Sequence, residues 1–190
     1  VQYGDTVLVI GIGPVGLMGV AGASLRGASR ILAVGTRKNC IEAAKKYGAE
    51  EFISYKNGPI DKQVLDMTNG KGVDKVIIAG GEVDTFAEAV RALKPGGKIG
   101  NVNYLGKGDY VQIPRVEWGV GMGHKAILGG LMPGGRLRME KLGSLVSSGK
   151  LNVHHLVSHV FDGWDNLEKA LFMMRDKPAD LIKPVVRIEK

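Results

Sequence analysis

The chain has one cysteine, Cys40, and aromatic residues make up only 6% of it. A single cysteine excludes an internal disulfide and any multi-cysteine zinc site, and so low a count suits a cytoplasmic protein. Cys40 itself falls in a predicted helix and reads as a small buried residue rather than a nucleophile. Scarce aromatics are a poor platform for stacking bases, and the basic residues behind the net charge of +7 are dispersed rather than gathered in a run, so no nucleic-acid partner is predicted. No apolar stretch approaches the ~18–20 residues that a bilayer span needs and no signal peptide precedes the first strand, so no membrane partner is predicted either. What the chain does have is glycine, 29 of its 190 residues, and a 44% apolar composition sufficient for a sizeable core.

Six residues organise the N-terminal end. Gly11-Ile12-Gly13-Pro14-Val15-Gly16 follows the apolar run Thr6–Ile10 and opens a helical stretch from Val15 to Leu25. Strand, G-x-G-x-x-G and helix in that order form a dinucleotide-binding fingerprint. Gly11 lets the chain turn off the strand, Gly13 lets the backbone approach a pyrophosphate, and Gly16 allows close packing of helix on sheet. Pro14 suits a first helical turn, where its missing N–H removes no bond. The helix N-terminus offers free N–H groups and partial positive charge, worth ~0.3–1 kcal/mol to an exposed anion.

The second strand, Arg30–Val34, bears on which dinucleotide fits. About twenty residues beyond such a fingerprint, an NAD site presents a carboxylate to the ribose 2′-OH. This chain presents Gly35-Thr36-Arg37-Lys38. A glycine makes room there, a threonine hydroxyl can donate, and an arginine can pair with a 2′-phosphate. At about 1.5–3 kcal/mol per charge-assisted bond, an NADP preference of at least ~10-fold is expected. The plainer alternative makes Arg37 and Lys38 solvated residues opening the next helix.

Strand and helix patterns then alternate. Helices are predicted over Ile41–Tyr47, Asp61–Thr68 and Thr85–Leu93, and strands over Glu51–Ser54, Val73–Ala79, Lys98–Val102 and Lys125–Gly129, with a turn at Lys94-Pro95-Gly96-Gly97. The fold class is therefore α/β, a doubly wound parallel six-stranded sheet, with ligands at the carboxyl ends of the strands. Beyond it, helices are expected over Gly135–Val146 and Gly163–Arg175, and residues 181–188 read as an edge strand because Pro184 interrupts them. His154, His155 and His159 are the nearest approach to a metal cluster, but residues 156–160 read as loop entering strand and no carboxylate lies between His155 and His159. His124 reads as a structural hydrogen-bonding residue.

Together, the stretches VIGIGPVGLM, VGTRK, ISYKNG, NGKGVDKVIIAGG, GNVNYLGKGD, IPRVEWGVGMGHK, PGGRLRME and DKPADLIKPVV resemble the NADP-dependent, zinc-dependent secondary alcohol dehydrogenases of the medium-chain dehydrogenase/reductase superfamily. The resemblance implies that Gly11, Gly13, Pro14 and Val15 hold the pyrophosphate and that Thr36, Arg37 and Tyr55 surround the 2′-phosphate, beside the Gly16 and Gly35 already read as cofactor positions from the fingerprint and the loop after the second strand. It places Ala79, Gly80 and Gly81 along the adenosine, Asn103 and Tyr104 beside the nicotinamide ribose, and Lys177 on a turn that reaches back to the cofactor. Tyr104, Leu131 and Met132 match the floor of the alcohol pocket, with Met132 standing where several relatives carry cysteine.

The same resemblance implies a substrate that is a secondary alcohol or ketone, NADP(H) as cofactor, and a homo-oligomer, a tetramer in full-length relatives. The family's zinc ligands belong to an N-terminal catalytic domain, so no metal ligand and no catalytic residue is expected within this chain. Residues 1–131 are read as the NADP-binding domain and residues 132–190 as a return segment of the catalytic domain. Without that domain, the 181–188 strand and the apolar surface near it are expected to lack a partner and to favour self-association. Two rival readings are a stand-alone NADP(H)-sensing module, which has no use for the return segment, and a zinc-free quinone reductase relative, which would lack GNVNYLG and EWGVGMGHK.

Overall fold

The computed structural model describes residues 1–132 and 134–188. Pro133, which begins the PGGRLRME stretch, and residues 189 and 190, which end the 132–190 segment, lie outside the described residues. Six parallel strands form the main sheet: β1 (Thr6–Ile10), β2 (Arg30–Val34), β3 (Glu51–Ile53), β4 (Val73–Ile78), β5 (Leu93–Asn101) and β6 (Ala126–Gly129). Their order, β3-β2-β1-β4-β5-β6, reverses direction between β1 and β4, which is the doubly wound arrangement. The central strands are apolar almost throughout, with Val7, Leu8, Val9 and Leu32 at 2% exposure or less, as a sheet covered on both faces requires.

Helices α1 (Pro14–Leu25) and α2 (Lys38–Lys46) lie on one side of the sheet, and α3 (Ile60–Met67) and α4 (Val83–Ala92) on the other. Two cores result. Leu17, Val20, Cys40 and Ala44 close one around Val7 and Val9, while Val64, Phe86 and Val90 close the other around Leu8 and Ile78. The first core also takes in Ile182.

Most boundaries fall within a residue or two of expectation, and three differ for physical reasons. Helix α2 begins three residues early, at Lys38, which makes Arg37 its N-cap residue with an extended ψ of 124°. Strand β5 begins at Leu93, because Leu93 pairs with Val73 before the register shifts, so the Lys94–Gly97 turn is an irregularity inside the ladder. The helix expected over Gly163–Arg175 is a single 3₁₀ turn, Trp164–Asn166, followed by α6 (Leu167–Asp176); α5 is Arg136–Ser147.

The 181–188 region corrects the expectation of a strand without a partner. β7 (Val157–Asp162) and β8 (Lys183–Arg187) pair in parallel, and Leu181 and Ile182 are buried at 4% and 8% exposure. The apolar face of α6, which packs beside β8, is nonetheless partly open: Leu171 and Phe172 are exposed.

Candidate nucleotide-binding site

Because β1 and β4 are neighbours, the loops leaving their carboxyl ends lie against each other. The Ala79 N–H donates to the Ile10 carbonyl at 2.8 Å. That contact brings Gly11, at φ +87°, so close to Gly80 that a Cβ on Gly11 would stand 2.6 Å from the Gly80 Cα. Gly16 is constrained differently from expectation. A Cβ there would run into the carbonyl of Gly11, with its carbon at 2.9 Å, before it met the Ala79 side chain at 3.4 Å. The glycine thus lets the first turn of α1 sit on its own preceding loop rather than on the sheet. Gly13 is the N-cap of α1, Pro14 is at the first helical position, and no acidic residue occupies the first turn, so its N–H groups and positive end face outward uncompensated.

The loop after β2 forms the opposite wall. A Cβ on Gly35 would strike the Ile12 side chain. The Thr36 hydroxyl lies 3.0 Å from the Tyr55 hydroxyl across the gap to the turn after β3. Arg37 Nη1 donates to the Leu181 carbonyl at 2.6 Å. Its Nη2 is on the side of Gly13, where a Cβ would stand 3.8 Å away. The two walls enclose a cleft of about 540 Å³ that brings together Gly11, Gly13, Gly35, Thr36, Arg37, Tyr55 and Gly81.

The other expected residues stand behind or beside that cleft. Pro14, Val15 and Gly16 form the helix start, while Ala79 and Gly80 buttress Gly11. Asn103 Nδ2 donates to the Gly81 carbonyl at 2.8 Å and so ties the loop after β5 to the loop after β4. Lys177 is exposed and ends α6 in a left-handed conformation, φ 48°. Tyr104, Leu131 and Met132 are not enclosed in a pocket among the described residues: Tyr104 and Leu131 are 96% exposed and Met132 is 58% exposed, each in a loop. His124 is corrected as well. It is exposed, at φ 53°, and makes no side-chain hydrogen bond among the described residues.

The cleft also has lining that the motifs did not indicate: Ile60, Glu82, Thr85, Glu88 and Cys40. Thr85 Oγ1 accepts from the Glu82 N–H at 3.1 Å, fixing the start of α4, and this pairing was legible as a polar residue three positions into a helix. Glu88 accepts from the Ile60 N–H at 3.1 Å, joining α4 to α3. Burial pushes its carboxyl above the usual range, with the Asp61 and Asp84 charges adding to the rise and Arg91 opposing it. Burial likewise pushes the Cys40 thiol up, against the nearby Arg37 charge, so Cys40 is a poor nucleophile.

Among the described residues no group of three or more His, Cys, Asp or Glu is placed to hold a metal ion. His155 packs edge-on against Tyr47, and His159 is 2.9 Å from the Ser158 hydroxyl and 3.5 Å from Asp180. No helix among the described residues is long and apolar enough to cross a membrane.

Comparison with known proteins agrees with this geometry. The zinc-binding dehydrogenase family matches residues 14–148. The chain is 65% identical over 188 residues to an NADP-dependent isopropanol dehydrogenase of Entamoeba histolytica, covering 99% of itself and 51% of the relative. It is 60% identical to the enzyme of the same name from Thermoanaerobacter brockii, covering 98% of itself and 53% of the relative. Among solved structures, benzyl alcohol dehydrogenase from Acinetobacter calcoaceticus superposes with a TM-score of 0.86 at 27% identity, over 100% of this chain and 51% of that one. The chain therefore spans about half the length of the curated relatives it matches. A doubly wound sheet, a glycine loop set against α1 and an arginine in place of the second-strand carboxylate accord with these matches, and the chain belongs to the zinc-binding dehydrogenase family of the medium-chain dehydrogenase/reductase superfamily.

Proposed function

We propose that this chain is the NADP(H)-binding portion of an oxidoreductase that passes hydride between NADP(H) and secondary alcohols or ketones, and that by itself it binds cofactor without turning over alcohol. The observation that carries the reading is the convergence of Thr36, Arg37 and Tyr55 at the end of β2, where an NAD site would hold a carboxylate. The names of the relatives, NADP-dependent isopropanol dehydrogenases, support it.

In this reading the N–H groups between Gly11 and Gly16 hold the pyrophosphate, and Gly11 and Gly16 are glycine because a Cβ at either meets backbone. Arg37, Thr36 and Tyr55 take the 2′-phosphate, with Gly35 making room for it. Gly81 and its neighbours Ala79 and Gly80 lie along the adenosine, Asn103 and Tyr104 beside the nicotinamide ribose, and Lys177 on the turn that faces the cofactor. Bound nicotinamide supplies the hydride acceptor or donor. The chain's contribution is to orient it, which lowers the barrier through proximity rather than bond chemistry.

We assign Tyr104, Leu131 and Met132 to the floor of the alcohol pocket; all three are exposed side chains that need other structure to close over them. The family's zinc finds no ligand set among the described residues, so no step is assigned to metal here. Residues 1–131 act as the cofactor domain and 132–190 as a segment of the catalytic domain, in a cytoplasmic homo-oligomer, a tetramer in the full-length protein.

Calorimetric titration of NADP⁺ and NAD⁺ tests the proposal, with Arg37→Ala alongside and a propan-2-ol assay with added zinc. NADP⁺ is expected to bind at least ~10-fold tighter, Arg37→Ala to erase that margin, and no turnover to occur. Equal binding of NAD⁺ would refute the 2′-phosphate assignment, and turnover would refute the division of labour.

A further inference from the structure

Arg37 does not stand alone at the cleft. The backbone of residues 180–182 crosses the start of α2 and is fixed there at several points. Leu181 gives its carbonyl to Arg37 Nη1 at 2.6 Å, and Asp180 gives its carbonyl to Asn39 Nδ2 at 2.8 Å. The Leu181 and Ile182 side chains are buried, Ile182 in the same core as α1 and α2. One hydroxyl on β7 holds the other side of the crossing. Ser158 Oγ accepts from the Ile182 N–H at 2.9 Å and from the Lys183 N–H at 3.1 Å.

The guanidinium is thus held at one end by a fixed carbonyl. Nη1 is spent on a carbonyl that cannot swing away, which leaves Nη2 on the Gly13 side of the cleft. An unrestrained arginine loses rotamer freedom when it takes a phosphate, whereas one already held gives up less.

We propose that residues 180–182 form a strap that pre-orients Arg37 for the 2′-phosphate, and that Ser158 and Asn39 are positioning residues for the choice of NADP over NAD. The inference rests on the proposed NADP(H) site and adds a requirement to it: selectivity written at the end of β2 is completed by a segment 144 residues further along the chain. Neither Ser158 nor Asn39 lines the cleft, so neither acts by touching the nucleotide.

The test is titration of NADP⁺ and NAD⁺ into the full chain carrying Ser158→Ala, Asn39→Ala, Ser158→Thr, Arg37→Ala, or Arg37→Ala with Ser158→Ala. Ser158→Ala and Asn39→Ala are expected to weaken NADP⁺ roughly 3- to 10-fold while NAD⁺ is unchanged, and Ser158→Thr, which keeps the acceptor, is expected to retain NADP⁺ affinity. In the Arg37→Ala background, Ser158→Ala is expected to cost nothing further, because the strap acts only through that arginine. Asn39→Ala alone provides the comparison where Ser158→Ala lowers folding, checked by circular dichroism. Equal weakening of both nucleotides, no weakening of either, or additivity with Arg37→Ala would overturn the strap. If the unaltered chain binds neither nucleotide, the proposed function itself falls and the strap with it; if it prefers NADP⁺ and the variants do not alter that preference, the strap alone is refuted.

Discussion

Two glycines in one helix give a paired test of the geometry at the fingerprint. In Gly16→Ala the new methyl would run into the Gly11 carbonyl, whose carbon stands 2.9 Å from it. Gly11 has little room to step aside, since a Cβ built on it would already stand 2.6 Å from the Gly80 Cα. Alanine gains about 0.5–1 kcal/mol over glycine in a helix, but overpacking against unyielding backbone costs about 1–3 kcal/mol. The net is a loss of about 2 kcal/mol at the upper end of that range. Gly22→Ala, six positions along α1, meets nothing within 4 Å and keeps the full gain of about 0.5–1 kcal/mol. The two variants should differ by about 2–3 kcal/mol. With an m-value of about 2–3 kcal/mol/M, their urea midpoints should separate by roughly 1 M. NADP⁺ affinity should fall with Gly16→Ala and hold with Gly22→Ala. Midpoints that coincide, or a Gly22→Ala variant less stable than the unaltered chain, would refute the account of why α1 begins as it does.

Two carboxylates make opposite predictions about pH. Glu88 is raised by burial above its ordinary value, so its ionised form burdens the native state; stability is full below the unfolded pKa near 4 and is lost as pH rises through the folded one. Glu88→Gln keeps an acceptor for the Ile60 N–H, and its melting temperature should exceed that of the unaltered chain at pH 7 and converge with it below about pH 4. Asp74 goes the other way: burial works to raise it, but the Thr6 N–H at 2.8 Å and the Lys94 ammonium at 3.1 Å outweigh burial and hold it low. Its contribution is present above the unfolded pKa of about 3.9 and is lost as pH falls through the depressed one, so Asp74→Asn should destabilise at pH 7 and lose that deficit in strong acid, read from denaturation at each pH.

How much of the molecule was legible in the sequence depended on whether its cause was local. Strands such as Val7-Leu8-Val9 announce burial on both faces by composition alone, and the alternation with helices dictates the parallel sheet. Gly11 was readable from its place directly after β1 in the G-x-G-x-x-G pattern, although the backbone that crowds it belongs to the distant Gly80. The contact that requires Gly16 to be glycine was not, since whether its Cβ meets sheet or carbonyl depends on the path of the loop. Leu93 joins β5 because Val73 is opposite it, a fact of pairing rather than propensity. The cleft walls from α3 and α4, Ile60 and Glu88, come from elements whose motifs are ordinary, and only their packing brings them to the site. Tyr104, Leu131 and Met132 are exposed rather than enclosed among the described residues, because residues matched by position still need surrounding structure to face one another.

The bond between Arg37 and Leu181 also has a bearing on biosynthesis. Translation runs in one direction, so a ribosome that has just placed Arg37 must add 144 more residues before the carbonyl that restrains it exists. During that interval β1 to β4 can emerge and pair, and the glycine loop can take its shape, with the guanidinium still untethered. The nascent sheet can therefore assemble well before its arginine is held, because the contact that restrains it is among the most distant in sequence.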